Sequence, residues 1–258
     1  MAFQTVFKRY ELKYMLTYEQ KEKVLQAMEP YMSIDDYGRT TIRNIYFDTD
    51  NYRLVRHSIE GAGYKEKLRI RSYDKADPYS TVFVELKKKY QSIVYKRRIS
   101  LTEDAAMKWV LGELKCPNKN QISEEVDYFL EYYETLHPVA FLSYEREAFY
   151  SKDQSDFRVT FDDTILCRRE DLSLESEVYG TLLLPEGMTL MELKCSGSIP
   201  MWLTHTLSEE QIYKTSFSKY GTAYKMMILP ELYQGGAFIC QNSYLKDYSI
   251  PHSLPLSV

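Results

Sequence analysis

The stretch KEKLRIRSY, residues 65–73, constrains the fold of this chain more than any other. Successive side chains of an extended strand leave on opposite faces. Lys67, Arg69 and Arg71 therefore share one face, and Leu68 and Ile70 share the other. Such a strand can bury its aliphatic side in a sheet, but the opposite side is then lined with positive charge alone.

The pattern recurs along the chain. In FKRYELKY, Arg9, Glu11 and Lys13 oppose Tyr10, Leu12 and Tyr14. In TVFVELKKK, Glu85, Lys87 and Lys89 oppose Val82, Val84 and Leu86. Lys96 and Arg98 share a face of IVYKRRI, and Tyr144 goes with Arg146 in SYEREAF, where Glu145 and Glu147 blur the reading. Arg158, Thr160 and Asp162 oppose Phe157, Val159 and Phe161, and Glu192 and Lys194 oppose Met191 and Leu193.

Taken one at a time, each strand is explained by a solvated outer face. Outer faces usually mix signs so that neighbours attract across strands. Here nine cations (Lys13, Arg69, Arg71, Lys87, Lys96, Arg98, Arg146, Arg158 and Lys194) stand against Glu11, Glu85 and Glu192, although the formal net charge is −4. That total argues against nucleic acid as a partner. Any affinity for a polyanion has to come from local arrangement.

Alternation marks eight strands, at about 5–14, 41–48, 64–73, 81–89, 93–100, 140–150, 157–163 and 189–195, with a ninth candidate at 178–184. Helices are expected over 18–29 (capped by Thr17 with Gln20 three residues on), near 103–112, from Ser123 to before Pro138, and near 199–213 and 219–228. The segment 234–258 reads as an irregular tail after a single domain over 1–233. An open sheet would show the basic face to water. A closed barrel would turn it inward under amphipathic helices, and about eight strands can close around one small ligand. The fold class expected is α+β: a closed eight-stranded antiparallel β-barrel with the helices packed outside. Crowded cations are tolerable there only with anions present, so a polyanion is the natural guest.

Other signals bear on function by exclusion. Four cysteines lie far apart with no C-x-x-C pair, and the four histidines form no H-E-x-x-H, so they suggest no zinc site. Gly61-x-Gly63 precedes a strand and reads as a turn, as does Ser196-Gly197-Ser198, which lacks G-K-[ST]. The start has no apolar signal core, and no apolar run nears the roughly 20 residues of a membrane helix. The expectation is a cytoplasmic protein.

In order, RYELKY, KLRIRSY, FVELKKK, YKRRI, SYEREAF, FRVTFDD, MELK and FSKY resemble the VTC domain of the triphosphate tunnel superfamily, which includes the CYTH proteins. The resemblance spans about residues 5–225. It implies a barrel with a basic tunnel and a phosphotransferase that builds polyphosphate from ATP. By resemblance Lys13, Arg69, Arg71, Lys87, Lys96, Arg98, Arg146, Arg158 and Lys194 would hold phosphate, with Ser218 and Lys219 near one mouth. Arg69, Arg71, Lys87, Arg146 and Glu192 would carry turnover. Glu192 would hold Mn²⁺ or Mg²⁺, with Glu11 and Glu85 as further metal candidates. Ser216 stands where the family pattern has a lysine, and the face of the nearby Lys214 is open. The alternatives are a triphosphatase acting on tripolyphosphate or a nucleoside triphosphate, with Glu11 or Glu85 activating water, and a binding module for polyphosphate or inositol polyphosphate. The resemblance also leaves room for a separate membrane partner and peripheral attachment through it.

Overall fold

The structure is a computed structural model and describes residues 10–90, 93–153 and 155–234. Arg9, the first five residues of the expected strand at 5–14, and all of the expected tail except Gln234 lie outside the described residues.

Ten strands form one antiparallel sheet: β1 (Tyr10–Thr17), β2 (Met32–Asp48), β3 (Tyr64–Tyr73), β4 (Thr81–Tyr90), β5 (Ile93–Thr102), β6 (His137–Ser151), β7 (Arg158–Arg168), β8 (Thr181–Leu182), β9 (Met188–Cys195) and β10 (Lys214–Thr215). Their order is β10-β1-β9-β7-β6-β2-β3-β4-β5, with β8 beside β7. The meander β3–β4–β5 follows from the alternation of its strands. β2 is longer than expected and pairs with β6 on one side and β3 on the other.

The α+β class holds, but the expected closed eight-stranded barrel needs correction. Among the described residues no ladder joins β5 to β1 or β10, so the backbone hydrogen bonding ends on two edges. The sheet nevertheless curls until side chains from distant strands meet. Lys87 on β4 comes within 3.5 Å of Glu11 on β1, and Lys67 on β3 donates to the Ser218 hydroxyl at 3.0 Å.

Helices cover most of the convex face. α1 (Tyr18–Met28) begins at the expected capping box, with Gln20 N donating to Thr17 Oγ1 at 3.2 Å and Thr17 N donating to Gln20 Oε1 at 3.0 Å. α2 (Arg53–Ile59), which the periodicity missed, is followed by α3 (Glu103–Val110) and α4 (Gln121–Tyr133). The cap of α4 is Asn120, not Ser123, which instead fills the third helical position of a capping box. α3 and α4 pack Ala106, Trp109, Val126 and Phe129 onto Leu68, Ile70, Val84 and Leu86. α1 and α5 (Met201–Glu209) bury Val24, Met28, Leu203 and Leu207 against Val159, Phe161, Met191 and Leu193.

The last helices break the expectation that every helix lies outside. The helix expected at 219–228 is present and longer, running unbroken through α6 (Lys219–Ala223), a π-helical turn over Tyr224–Ile228 and α7 (Leu229–Gln234). Tyr220, Tyr224 and Ile228 pack against Ile42, Tyr46, Leu142 and Tyr144, which alternate with the outward residues of β2 and β6 and so face the concave side. Tyr46 and Tyr220 stack with ring centroids 5.0 Å apart. Asp48 pins this arrangement: its buried carboxylate accepts from the amides of Thr49, Leu54 and Val55 at the start of α2 and from the Tyr220 hydroxyl. One end of the hollow is thus apolar, and charge occupies the rest. No described helix is long and apolar enough to cross a membrane.

Candidate functional site

The charged part of the concave face is organised around buried carboxylates. Glu85, 2% exposed, sits at the centre of β4. Its Oε2 accepts from Arg69 Nε at 2.8 Å and Nη2 at 2.7 Å. Its Oε1 takes Arg98 Nε and Lys96 Nζ, each at 2.7 Å. The registers Arg69↔Glu85 and Glu85↔Arg98 place an arginine directly across from it on each side. Burial would raise the Glu85 carboxyl, but Arg69, Arg71 and Lys96 outweigh that and hold it far below the ordinary carboxylate range. With both oxygens engaged by cations, Glu85 is the counter-ion of this leaf of the sheet.

A second node lies on the other leaf. Asp162, fully buried, binds Arg146 through both carboxylate oxygens at 2.6 Å and also receives Lys219 Nζ. Glu192 lies beside it, 3.2 Å from Lys13, 3.6 Å from Lys219 and 3.7 Å from Arg146. Burial opposes ionisation of Asp162 and Glu192. Arg146 and Lys219 lower the first, and Lys219, Lys13 and Arg146 lower the second. Glu11 reaches Lys13 and Lys87 at 3.5 Å each and is also held low.

Aromatic and amide groups orient the arginines. Arg69 Nη1 donates to the Tyr46 hydroxyl at 3.0 Å, and Arg71 donates to Asn44 Oδ1 at 3.1 Å and to the Tyr144 hydroxyl at 3.3 Å. Lys219 Nζ lies 4.4 Å from the Tyr144 ring centroid. Burial would raise the Tyr144 phenol, but Arg71, Arg146 and Lys219 bring it down to about 8.

The structure therefore brings together Lys13, Arg69, Arg71, Lys87, Lys96, Arg98, Arg146, Lys219, Glu11, Glu85 and Glu192 on one curved face. Ser218 caps α6, its hydroxyl accepting from Gly221 N at 3.2 Å, and Lys13 donates to Phe217 O at 2.9 Å. Lys194 is half-buried opposite Glu11 and Arg158. Burial pushes its amine down. Arg158 is exposed, its guanidinium 4.5 Å from the Tyr150 ring centroid, at the rim of the charged cluster. Lys214 pairs with Tyr14, whose side chain is in the core under α1, so it lies on the convex parity and cannot stand in for the lysine absent at Ser216. Glu145 and Glu147 are convex too. Glu147 pairs with Lys21 of α1, and Arg39 reaches Glu145, Glu147 and Asp163.

Two groups escaped the sequence reading. Asp162 shares the parity of Arg158 and joins Glu11, Glu85 and Glu192 among the carboxylates of the charged cluster. Lys67 was read on the basic face but not carried into the site, although it meets Ser218 there. Parity alone could have supplied both; their depth could not be read from it.

Fold and face together define an α+β protein whose curved antiparallel sheet cups a cluster of cations built on buried acids. The VTC domain family profile matches residues 8–228, and the chain belongs to that family. No curated protein sequence matches it significantly. A candidate adenylate cyclase from Bacillus halodurans is similar in structure (TM-score 0.51, 15% identity, 86% of this chain and 97% of that one), which shows a shared fold alone. A candidate adenylyl cyclase from Hippeastrum, described as having a dominant triphosphatase activity, is more distant (TM-score 0.47, 14% identity, 89% and 96%) and adds nothing to that argument.

Proposed function

We propose that residues 1–233 form a single phosphotransferase domain that extends polyphosphate with the terminal phosphate of ATP, the hollow serving as a phosphate tunnel. The observation that carries this is the concave cluster of lysines and arginines whose own counter-ions are only a few carboxylates, the buried Glu85, Asp162 and Glu192 and the more exposed Glu11. Phosphoryl transfer needs alignment and charge neutralisation more than covalent help. Arg69, Arg71 and Arg146 present planar forks suited to phosphate oxygens, held in place by Glu85, Asn44, Asp162 and the tyrosine hydroxyls. Lys13, Lys87, Lys96, Lys194 and Lys219 add point charges, Arg158 and Arg98 extend the cluster, and the α6 cap at Ser218 offers a hydroxyl. The end phosphate of the growing chain is anionic already and needs no strong base. Its approach to ATP is opposed by mutual repulsion, which these cations remove.

Among the described residues no group of three histidines, cysteines or carboxylates could by itself hold a metal. Mg²⁺ and Mn²⁺ commonly take one or two carboxylates and complete their shell with substrate phosphates and water. Glu192, with Glu11 across Lys13, fits that sparse donor set; Glu85, saturated by cations, does not. Bound there, the metal would neutralise charge on the transferring group. The expected workplace is the cytoplasm, at a membrane only through a separate partner.

The test is incubation of the chain with ATP and Mn²⁺, with phosphate chains resolved on a gel. Long chains support synthesis. Orthophosphate alone replaces it with triphosphatase activity, and tight tripolyphosphate binding without turnover in any metal replaces it with a binding module, a reading that Ser216 favours. Glu192→Ala is expected to abolish metal-dependent turnover and to leave tripolyphosphate binding within a fewfold of wild type. Unchanged turnover would remove Glu192 from the metal role.

A further inference from the structure

The cations of the concave face are not equivalent. Arg69, Lys96 and Arg98 are bonded to Glu85, Arg146 and Lys219 to Asp162, and Lys13 and Lys87 reach Glu11 or Glu192. Lys67, like Lys194 and Arg158, has no carboxylate within 4 Å among the described residues, and its ammonium bonds instead to the neutral Ser218 hydroxyl at 3.0 Å.

Its other neighbours repel it. Lys65 and Arg69 flank it on β3, Lys87 stands directly opposite on β4, and Lys13 approaches from β1. The nearby acid, Glu11, is already shared between Lys13 and Lys87, and Lys65 is turned to the carbonyl of Ser58. An ammonium held among like charges on a half-buried face is unfavourable unless an anion arrives.

We propose that Lys67 is a substrate-contacting residue of this site: with Ser218 it forms a phosphate subsite, and the bound phosphate chain supplies the counter-charge that the protein withholds. The inference rests on the phosphate-binding reading above and adds to it a residue and a proton. Burial, then Lys87, Lys13, Arg69 and Lys65, push the Lys67 amine down to about 7. Above that pH the free protein holds it largely neutral, and an arriving phosphate anion stabilises the ammonium. Binding then draws a proton from solvent onto Nζ, with no bond made or broken in the ligand.

The experiment is calorimetric titration of the full chain with sodium tripolyphosphate at pH 8, in two buffers of different ionisation enthalpy. Wild type is expected to take up protons on binding. Lys67→Met should reduce the uptake by about one proton per ligand and weaken binding roughly ten- to hundredfold, the usual worth of a hydrogen bond to a charged group. Lys67→Arg, whose charge is permanent, should keep most of the affinity and lose the same proton. Lys67→Met should also leave the free protein's melting temperature unchanged or raised at pH 7, because it removes a repelled charge. Equal affinity and equal uptake in wild type and Lys67→Met would overturn the proposal while leaving the phosphate site standing. A Lys67→Met protein that melts several degrees lower would overturn it in favour of a structural role. Wild type that does not bind tripolyphosphate would overturn this inference and the site reading together.

Discussion

The two carboxylate nodes of the concave face use the same chemistry at different depths. Asp162 is sealed from water, and Arg146 and Lys219, which hold it, are nearly so: their side chains are 16% and 9% exposed. Glu85 is equally buried, but Lys96 and Arg98 reach it from solvent, at 44% and 34% exposure. A phosphate can compete for the outer cations of Glu85 without dismantling the fold. It cannot reach behind Arg146 to displace Asp162. One node resembles a scaffold, the other a set of movable counter-ions.

Substitutions at the two nodes test that distinction. The largest effect is expected from Asp162→Asn, which leaves two buried cations with only the more distant Glu192 as a charge partner. Breaking such a pair from one side costs about 3–5 kcal/mol, read as a lower urea midpoint, and added tripolyphosphate should recover little of it. Glu85→Gln should cost less, about 1–3 kcal/mol, because water can solvate Lys96 and Arg98, and tripolyphosphate should bind it more tightly than wild type. Equal losses at the two positions would erase the contrast. Both carboxyls are held below their ordinary values, so their stabilisation is complete above about pH 4.5 and declines as pH falls towards the folded-state values. The smallest change is expected from Tyr144→Phe, which removes the hydroxyl bonded to Arg71. It should cost about 1 kcal/mol and abolish the tyrosinate absorbance step expected near pH 8 in wild type.

Much of this face was legible because period-two alternation assigns sides without knowledge of the fold. KLRIRSY and FVELKKK put every cation where parity placed it, with Leu68, Ile70, Val84 and Leu86 in the core beneath α3 and α4. Three things were not legible, for different reasons. The first half of β2, MSIDDYGRT, is largely exposed and carries no apolar alternation, so nothing marked it as strand. α2 is seven residues long, starts from Tyr52 in a left-handed conformation, and owes its amide partners to Asp48 upstream, a contact that no helical period encodes. The side of the sheet on which α6 sits escaped the reading too. A stripe of Tyr220, Tyr224 and Ile228 would suit a convex groove or a concave end equally, and only Tyr46 and Asp48 decide between them.

The strand order has a consequence for how the chain comes together. β1 lies beside β9, pairing Lys13 with Glu192, and Lys67 meets Ser218 from 151 residues away. Contacts this distant in sequence close late, because loop entropy is spent before they return anything. During synthesis, then, β1 waits without its sheet partners until β9 and β10 have left the ribosome, while β2 to β5 can already pair. Fragments that stop short of Met188 should leave β1 as a raw β-edge beside like charges, and are the species expected to aggregate.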